Sequence, residues 1–186
     1  MENAGVVEGS VGIAGHPPAA VAVEPETFAA LYKRCLPRVY GYVASLLRDR
    51  SAAEAVTAQA FERAFRKRTS YRATRGTPEA WLFGIARNAA LDELRRRKRQ
   101  APLDVDQEDR TLPEPEEQAD LALRRDVVRA ALGMLDPRER DLVALKFAGG
   151  LSNAEIAQVL GTTESNAGTR LHRTVTKLRK ACDELA

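Results

Sequence analysis

The 186 residues hold little of what catalytic or secreted proteins usually need. The only cysteines, Cys35 and Cys182, stand far apart with no CxxC pair. That excludes a disulfide scaffold and reads as two reduced thiols. The two histidines, His16 and His172, have no metal-ligand spacing, so no metal is expected. There is no phosphate-binding glycine loop and no nucleophile–base pair, so neither an enzyme nor a cofactor is expected. No apolar run approaches the roughly 20 residues of a membrane span. The opening stretch, MENAGVVEGSVGIAG, has no basic region and reads as no leader, which makes the cytoplasm the expected location. Aromatic residues are 5% of the chain, too few to suggest one large core, and the length suits one ordinary domain or two small ones.

Alanine, arginine, leucine and glutamate are abundant instead, and the fold class they imply is all-α. Charge is uneven along the chain. Residues 26–100 carry 17 bases against 7 acids, residues 101–120 carry 1 base against 8 acids, and residues 121–186 carry 11 bases against 8 acids. Two basic blocks separated by an acidic tether suggest contact with a polyanion at two separate places. The expected organisation is therefore a tail over 1–25, a helical domain over 26–100, an acidic linker with three prolines over 101–120, and a second helical domain over 121–186.

In the first block, Phe28, Leu31, Tyr32, Leu36, Val39, Tyr42, Val43, Leu46 and Leu47 recur at helical spacing, with Pro37 a possible break. Ser51 and Glu54 spell a capping box for the next helix, whose apolar side is Val56, Phe61 and Phe65. The stretch TSYRATRG reads as an arginine-rich loop. Thr77 and Pro78 then open a third helix as N-cap and first-turn proline, with Trp81, Leu82, Ile85, Ala86 and Ala89 as its inner stripe. It ends in five consecutive bases, Arg95 to Arg99, more than the helix macrodipole requires. With Arg63, Arg66, Lys67, Arg68, Arg72 and Arg75 they mark a nucleic-acid surface. Tyr71 in this setting could stack on an unpaired base, whereas Trp81 reads as core.

The last block predicts four helices. The second opens at Asp136-Pro137 with Glu139 as a box partner and stops at Gly149-Gly150; the third opens at Ser152 with Glu155 and ends at Gly161; the fourth starts at Thr162 or Thr163. The second runs through Leu142, Val143, Leu145 and Phe147. Helices three and four have the pattern of a helix-turn-helix. Ala157 is small where the helices touch, Gly161 tolerates positive φ at the turn, and Ile156, Leu160, Ala167 and Leu171 lock the crossing. The fourth helix would then turn Thr163, Glu164, Ser165, Asn166, Thr169, Arg170 and Arg173 outward. Short polar side chains at the start suit base edges in a major groove, and the later arginines suit phosphates. The alternative is an ordinary helical hairpin with a solvated face.

The combination of GTPEAWLFGIARNAALDELRRRKR, an acidic tether and LDPRERDLVALKFAGGLSNAEIAQVLGTTESNAGTRLHRTVTKLRK resembles the extracytoplasmic-function sigma factors of bacterial RNA polymerase, over roughly residues 26–182. The resemblance implies an initiation subunit that binds core polymerase through the β′ clamp helices and the β flap, and that assists opening of promoter DNA. It implies that Tyr71, Arg72, Arg75, Arg87, Asn88, Asp92, Arg95 and Arg96 contact the −10 element, and that Thr163 to Arg173 read the −35 element. It implies a core-polymerase contact at Glu54, Val56, Gln59, Phe61 and Glu62, a linker threading toward the active cleft, and an anti-sigma factor as a possible partner. From composition alone the linker reads as a solvated spacer. Two departures from the family pattern stand out. In AEAVTAQAFERAF, Ala55, Ala58 and Gln59 replace the usual acid, glutamine and glutamate of the clamp-binding helix. In the reading helix, Gly168 replaces a usual lysine, at a cost of about 1 kcal/mol of helix propensity. A stand-alone helix-turn-helix regulator is the competing function, but it would need a dimer interface, and neither a heptad nor a sensor domain is evident.

Overall fold

A computed structural model describes residues 25–100 and 119–185. The expected N-terminal tail and nearly all of the acidic linker fall outside the described residues. Among the described residues all regular structure is helical. Helix α1 spans Pro25–Leu47, α2 Arg50–Arg66 and α3 Pro78–Gln100, with two short 3-10 turns, Arg68–Ser70 and Ala73–Arg75, between α2 and α3. Helix α4 spans Ala119–Gly133, α5 Pro137–Phe147, α6 Asn153–Leu160 and α7 Glu164–Leu185. The first three helices pack on one another, and α4, α5 and α6 pack around α7.

Local signals set most helix ends. The Asp136–Glu139 and Ser152–Glu155 capping boxes both form, each side chain bonding the other's backbone N–H. Thr77 caps α3, its Oγ1 accepting from Ala80 N at 3.1 Å. Gly161 ends α6 at φ 64°, ψ 42°, the left-handed region where a Cβ would be strained. Helix α1 continues through Pro37 as one element.

The start of α2 is a correction. Asp49, not Ser51, is the N-cap: its Oδ1 accepts from Ala52 N at 3.0 Å and the helix begins at Arg50. The reason is tertiary. The other oxygen of Asp49 accepts from Arg97 Nη2 at 3.1 Å, near the end of α3, so a distant cation fixes which residue caps. Arg48 takes φ 50° just before it, turning the chain from α1 into α2.

Helix α3 buries two faces rather than one. Leu82, Ala86 and Ala89 form the expected stripe, joined by the half-buried Trp81 and Ile85. Phe83 and Ala90, about 100° further round the helix, are also fully buried. Phe83 packs edge-on to Tyr42 of α1, ring centroids 5.6 Å apart, and faces Gly149 beyond the end of α5. Helices α5 and α6 lie against α1 and α3, so one continuous core runs through both helical groups. Leu135, Leu142 and Val143 are buried, whereas Phe147 is 65% exposed at the end of α5.

Glu93 on α3 is a structural acid. It accepts from Arg96 Nε at 2.8 Å and Nη2 at 2.7 Å, and from Arg97 Nε at 2.8 Å. The Arg96 hydrogen bonds, seconded by those of Arg97 and opposed by burial, pull its carboxyl from 4.5 down to about 2. A depressed acid stabilises the fold above its unfolded value and loses that contribution as pH falls through the folded one. Glu93→Gln is therefore expected to cost about 1–2 kcal/mol at neutral pH. The gap to the native chain should close as pH falls from about 4.5 to about 2, as followed by urea unfolding across that range.

Candidate nucleic-acid interface

Two surfaces carry the residues that the sequence singles out. The first is the start of α7. Thr163 caps it, its Oγ1 accepting from Asn166 N at 3.2 Å. Ala167 and Leu171 turn inward against Ile156 and Ala157, all four buried, which sets the crossing of α6 and α7. That packing leaves Thr163, Glu164, Ser165, Asn166, Thr169, Arg170 and Arg173 exposed. Neither Arg170 nor Arg173 has an ion-pair partner among the described residues. Gly168 does not interrupt the helix, and a Cβ there would lie 3.4 Å from the Asn153 amide of α6.

The second surface is the loop between α2 and α3 with the flank of α3. Lys67, Arg72, Arg75, Trp81 and Asn88 line a cavity of about 500 Å³. Tyr71 is a wall of this cavity rather than a free platform. Its ring is 6% exposed and tilts against Trp81, and its hydroxyl donates to Gly76 O at 2.9 Å. Asp92 pairs with Arg95 at 3.0 Å and Arg96 with Glu93, all on the exposed end of α3. Arg97 differs from its neighbours in the basic run. It is largely covered and clamps Glu93, Asp49 and Leu47 O, so it holds the fold.

Arg87 is also occupied. Its Nε donates to Asp141 Oδ2 of α5 at 2.6 Å, and Asp141 Oδ1 accepts from the buried Tyr42 hydroxyl at 2.7 Å. Burial, then the carboxylate beside it, pushes the Tyr42 phenol well above its ordinary value, so it stays a donor. Sequence periodicity missed Asp141, because a buried acid at one helical position looks like any solvated one until its partners arrive from other helices.

On α2, Val56 and Phe61 are buried, whereas Glu54, Gln59 and Glu62 are exposed, Glu54 paired with Arg50 and Glu62 with Arg66. Two aromatic rings reach the surface beside them. Phe65 is 44% exposed, edge-on to Phe28 with the Arg68 guanidinium 4.1 Å from its centroid; Tyr32 is 41% exposed, edge-on to Phe61. Both cysteines are free thiols. No group of acidic, histidine or cysteine side chains among the described residues could hold a metal ion, and no described helix is long and apolar enough to cross a membrane.

Both helical groups match known proteins. Residues 31–100 match Sigma-70 region 2, and residues 125–178 match Sigma-70, region 4. The ECF RNA polymerase sigma factor SigK of Mycobacterium ulcerans (strain Agy99) is 33% identical over 171 residues, 86% of this chain and 88% of that one. The RNA polymerase sigma factor CarQ of Myxococcus xanthus is 35% identical over 163 residues, 86% of this chain and 91% of that one. The fold is shared with the sigma factor RpoE of Bartonella quintana, solved in complex with the anti-sigma factor NepR: TM-score 0.67, 22% identity, covering 85% of this chain and 98% of that one. It is shared also with CnrH, solved with the cytosolic domain of CnrY: TM-score 0.63, 23% identity, covering 87% of this chain and 90% of that one. With both signature regions matched in order and full-length relatives at this identity, the chain belongs to the extracytoplasmic-function sigma factors of the sigma-70 family, initiation subunits that direct RNA polymerase to specific promoters.

Proposed function

We propose that the exposed side of α7 reads the −35 element, that the basic loop and outer flank of α3 engage the −10 element, and that the outer face of α2 carries core polymerase. The observation that supports this most is the α7 row. Seven polar or cationic side chains stand exposed behind a glycine-ended helix, short ones first and arginines after, as groove readout followed by phosphate contact requires. On α2, Glu54, Gln59 and Glu62 are exposed, and the aromatic edge of Tyr32 and Phe65 adds apolar contact where Ala55 and Ala58 offer no charge. The working units in this reading are residues 26–100 and 121–186, joined by the acidic linker over 101–120.

The protein in this reading performs no chemistry of its own and acts in the cytoplasm, where polymerase is. An anti-sigma partner is part of the proposal, since structural neighbours were solved with NepR and with the cytosolic domain of CnrY. Run-off transcription with purified bacterial core polymerase on a genomic fragment library tests the assignment. New start sites that share two elements upstream are expected; none, together with failure to co-purify with core, would refute it.

The α3 arginines give a separate test. Arg95→Ala with Arg96→Ala is expected to lower the affinity of the holoenzyme for promoter DNA and to reduce the slope of log K against log salt by about 1–2. Arg97→Ala should lower thermal stability and leave that slope unchanged, because beyond Glu93, which Arg96 also holds, it ties Asp49 and Leu47 O. An unchanged salt slope in the double variant would leave Arg95 and Arg96 as helix-end charge alone.

A further inference from the structure

Ser70 stands exposed in the loop between α2 and α3, at the end of the first 3-10 turn. Its Oγ donates to Lys67 O at 2.7 Å, three residues back, and to nothing else among the described residues. It lies on the wall of the cavity of about 500 Å³, beside Lys67, Arg72 and Arg75, all three exposed. None of these cations pairs with an acid among the described residues. Arg72 donates only to the carbonyls of Thr69 and Tyr71, and Lys67 and Arg75 make no side-chain hydrogen bond there. Glu79, whose charge is felt at Tyr71, is held by Arg34, and Glu155 bonds Ser152 N and Thr77. A neutral hydroxyl thus faces a cationic cavity with no anion in it. Arg66, Lys67 and Arg68 precede it directly in the chain. The turn itself is tied by two local bonds, from Ser70 N to Lys67 O and from Tyr71 N to Arg68 O, so opening it to another protein breaks little.

We propose that Ser70 is a phosphorylation site for a serine/threonine kinase directed by basic residues on the N-terminal side, and that its phosphate switches off the −10 surface by drawing Lys67, Arg72 and Arg75 onto itself. The effect on DNA rests on the function proposed above. Charge patterns around the acceptor are what such kinases read. In the transfer, Ser70 Oγ attacks the γ-phosphorus of ATP. The Oγ–P bond forms, the bond from that phosphorus to the bridging β–γ oxygen breaks, ADP leaves, and the hydroxyl proton passes to the kinase's base. The product carries about −1.5 to −2 charge and three strong acceptor oxygens at neutral pH. Placed among unpaired cations it forms charge-assisted hydrogen bonds and orders the loop. Cations so engaged no longer neutralise DNA phosphates, and the fixed anion repels them. Thr69 and Thr74 are also exposed in this loop but do not line the cavity, so a phosphate on either gains less.

The full chain is treated with ATP and the catalytic domain of a kinase of this basic-directed class, and the phosphate is mapped by mass spectrometry. Ser70 is the expected main site, and Ser70→Ala should lose most of the incorporation. The free chain should gain about 2–4 °C in Tm on modification, and the gain should vanish when Arg72→Ala and Arg75→Ala are combined. Modified and unmodified chains, each assembled with core polymerase, are then compared for promoter binding over a salt series. Phosphorylation should weaken binding about 10- to 100-fold and lower the slope of log K against log salt by about 2. Ser70→Glu, with a single negative charge, should fall between. Ser70→Ala, treated alike, should bind as the unmodified chain does. No phosphate at Ser70, a Tm that falls on modification, or full occupancy with unchanged affinity and slope each overturns the proposal. If the unmodified holoenzyme binds no promoter at all, the reading of this loop as a −10 contact fails instead, while the mapping and the Tm shift still decide the phosphate site.

Discussion

Replacing Arg170 and Arg173 together with alanine is expected to lower run-off transcription from a −35-dependent promoter by about 10- to 100-fold, at roughly 1–3 kcal/mol for the pair of contacts. The two arginines lie three residues apart on α7, so they share one face. Both are exposed, and neither is held by an acid among the described residues. Their helix is anchored on its other side by Ala167, Leu171 and Thr174, all buried, so truncating the arginines leaves the packing intact. The loss should deepen as salt is raised, because phosphate contacts act through counterion release. Arg179→Ala, further along the same helix and also exposed, is the control for net charge. Native output from the double variant, with the control also native, would remove α7 from promoter reading and leave α6–α7 as a helical hairpin.

Leu82→Ala should cost about 2–5 kcal/mol in urea unfolding, the range for a large-to-small change in a packed core. Leu82 has no exposed surface and sits on the α3 face that continues through Ala86 and Ala89, the central stripe of the region 2 helices. The same core holds alanines at positions 53, 60, 64, 80, 86, 89 and 90, all at most 4% exposed. Alanines bring helix axes close together but cannot move to fill a void, so the cavity persists. A measured change below about 1 kcal/mol would show that the core collapses around the site.

The course of these helices was largely legible before any coordinates, because what fixes a helix end acts over a few residues. Asp136 with Glu139, Ser152 with Glu155, Thr77 before Pro78, and Gly161 in a left-handed turn are all local chemistry, and each works as its neighbours dictate. Part of the exposed row on α7 was legible for the same reason: once Ala167 and Leu171 must face inward, 3.6 residues per turn places Asn166, Thr169 and Arg173 on the other side. Family resemblance, carried by motifs in both blocks, supplies the role proposed for the row.

Tertiary structure decided the rest, through partners separated by about 45 to 110 positions in the chain. Asp49 outcompetes Ser51 as a cap because Arg97 arrives beside it. Arg97 leaves the basic run and becomes a clamp for the same reason. Phe83 and Ala90 are core only because α5 and α6 close over a second face of α3, and Arg87 is paired only because Asp141 lies across that seam. Phe147 shows the converse, an apolar residue in a helical stripe left 65% exposed where no helix covers it. Sequence periodicity says which side of a helix is apolar; it does not say how many neighbours that helix will have. That number is set by how whole helices dock, and here it decides which of the residues singled out by the sequence stay exposed.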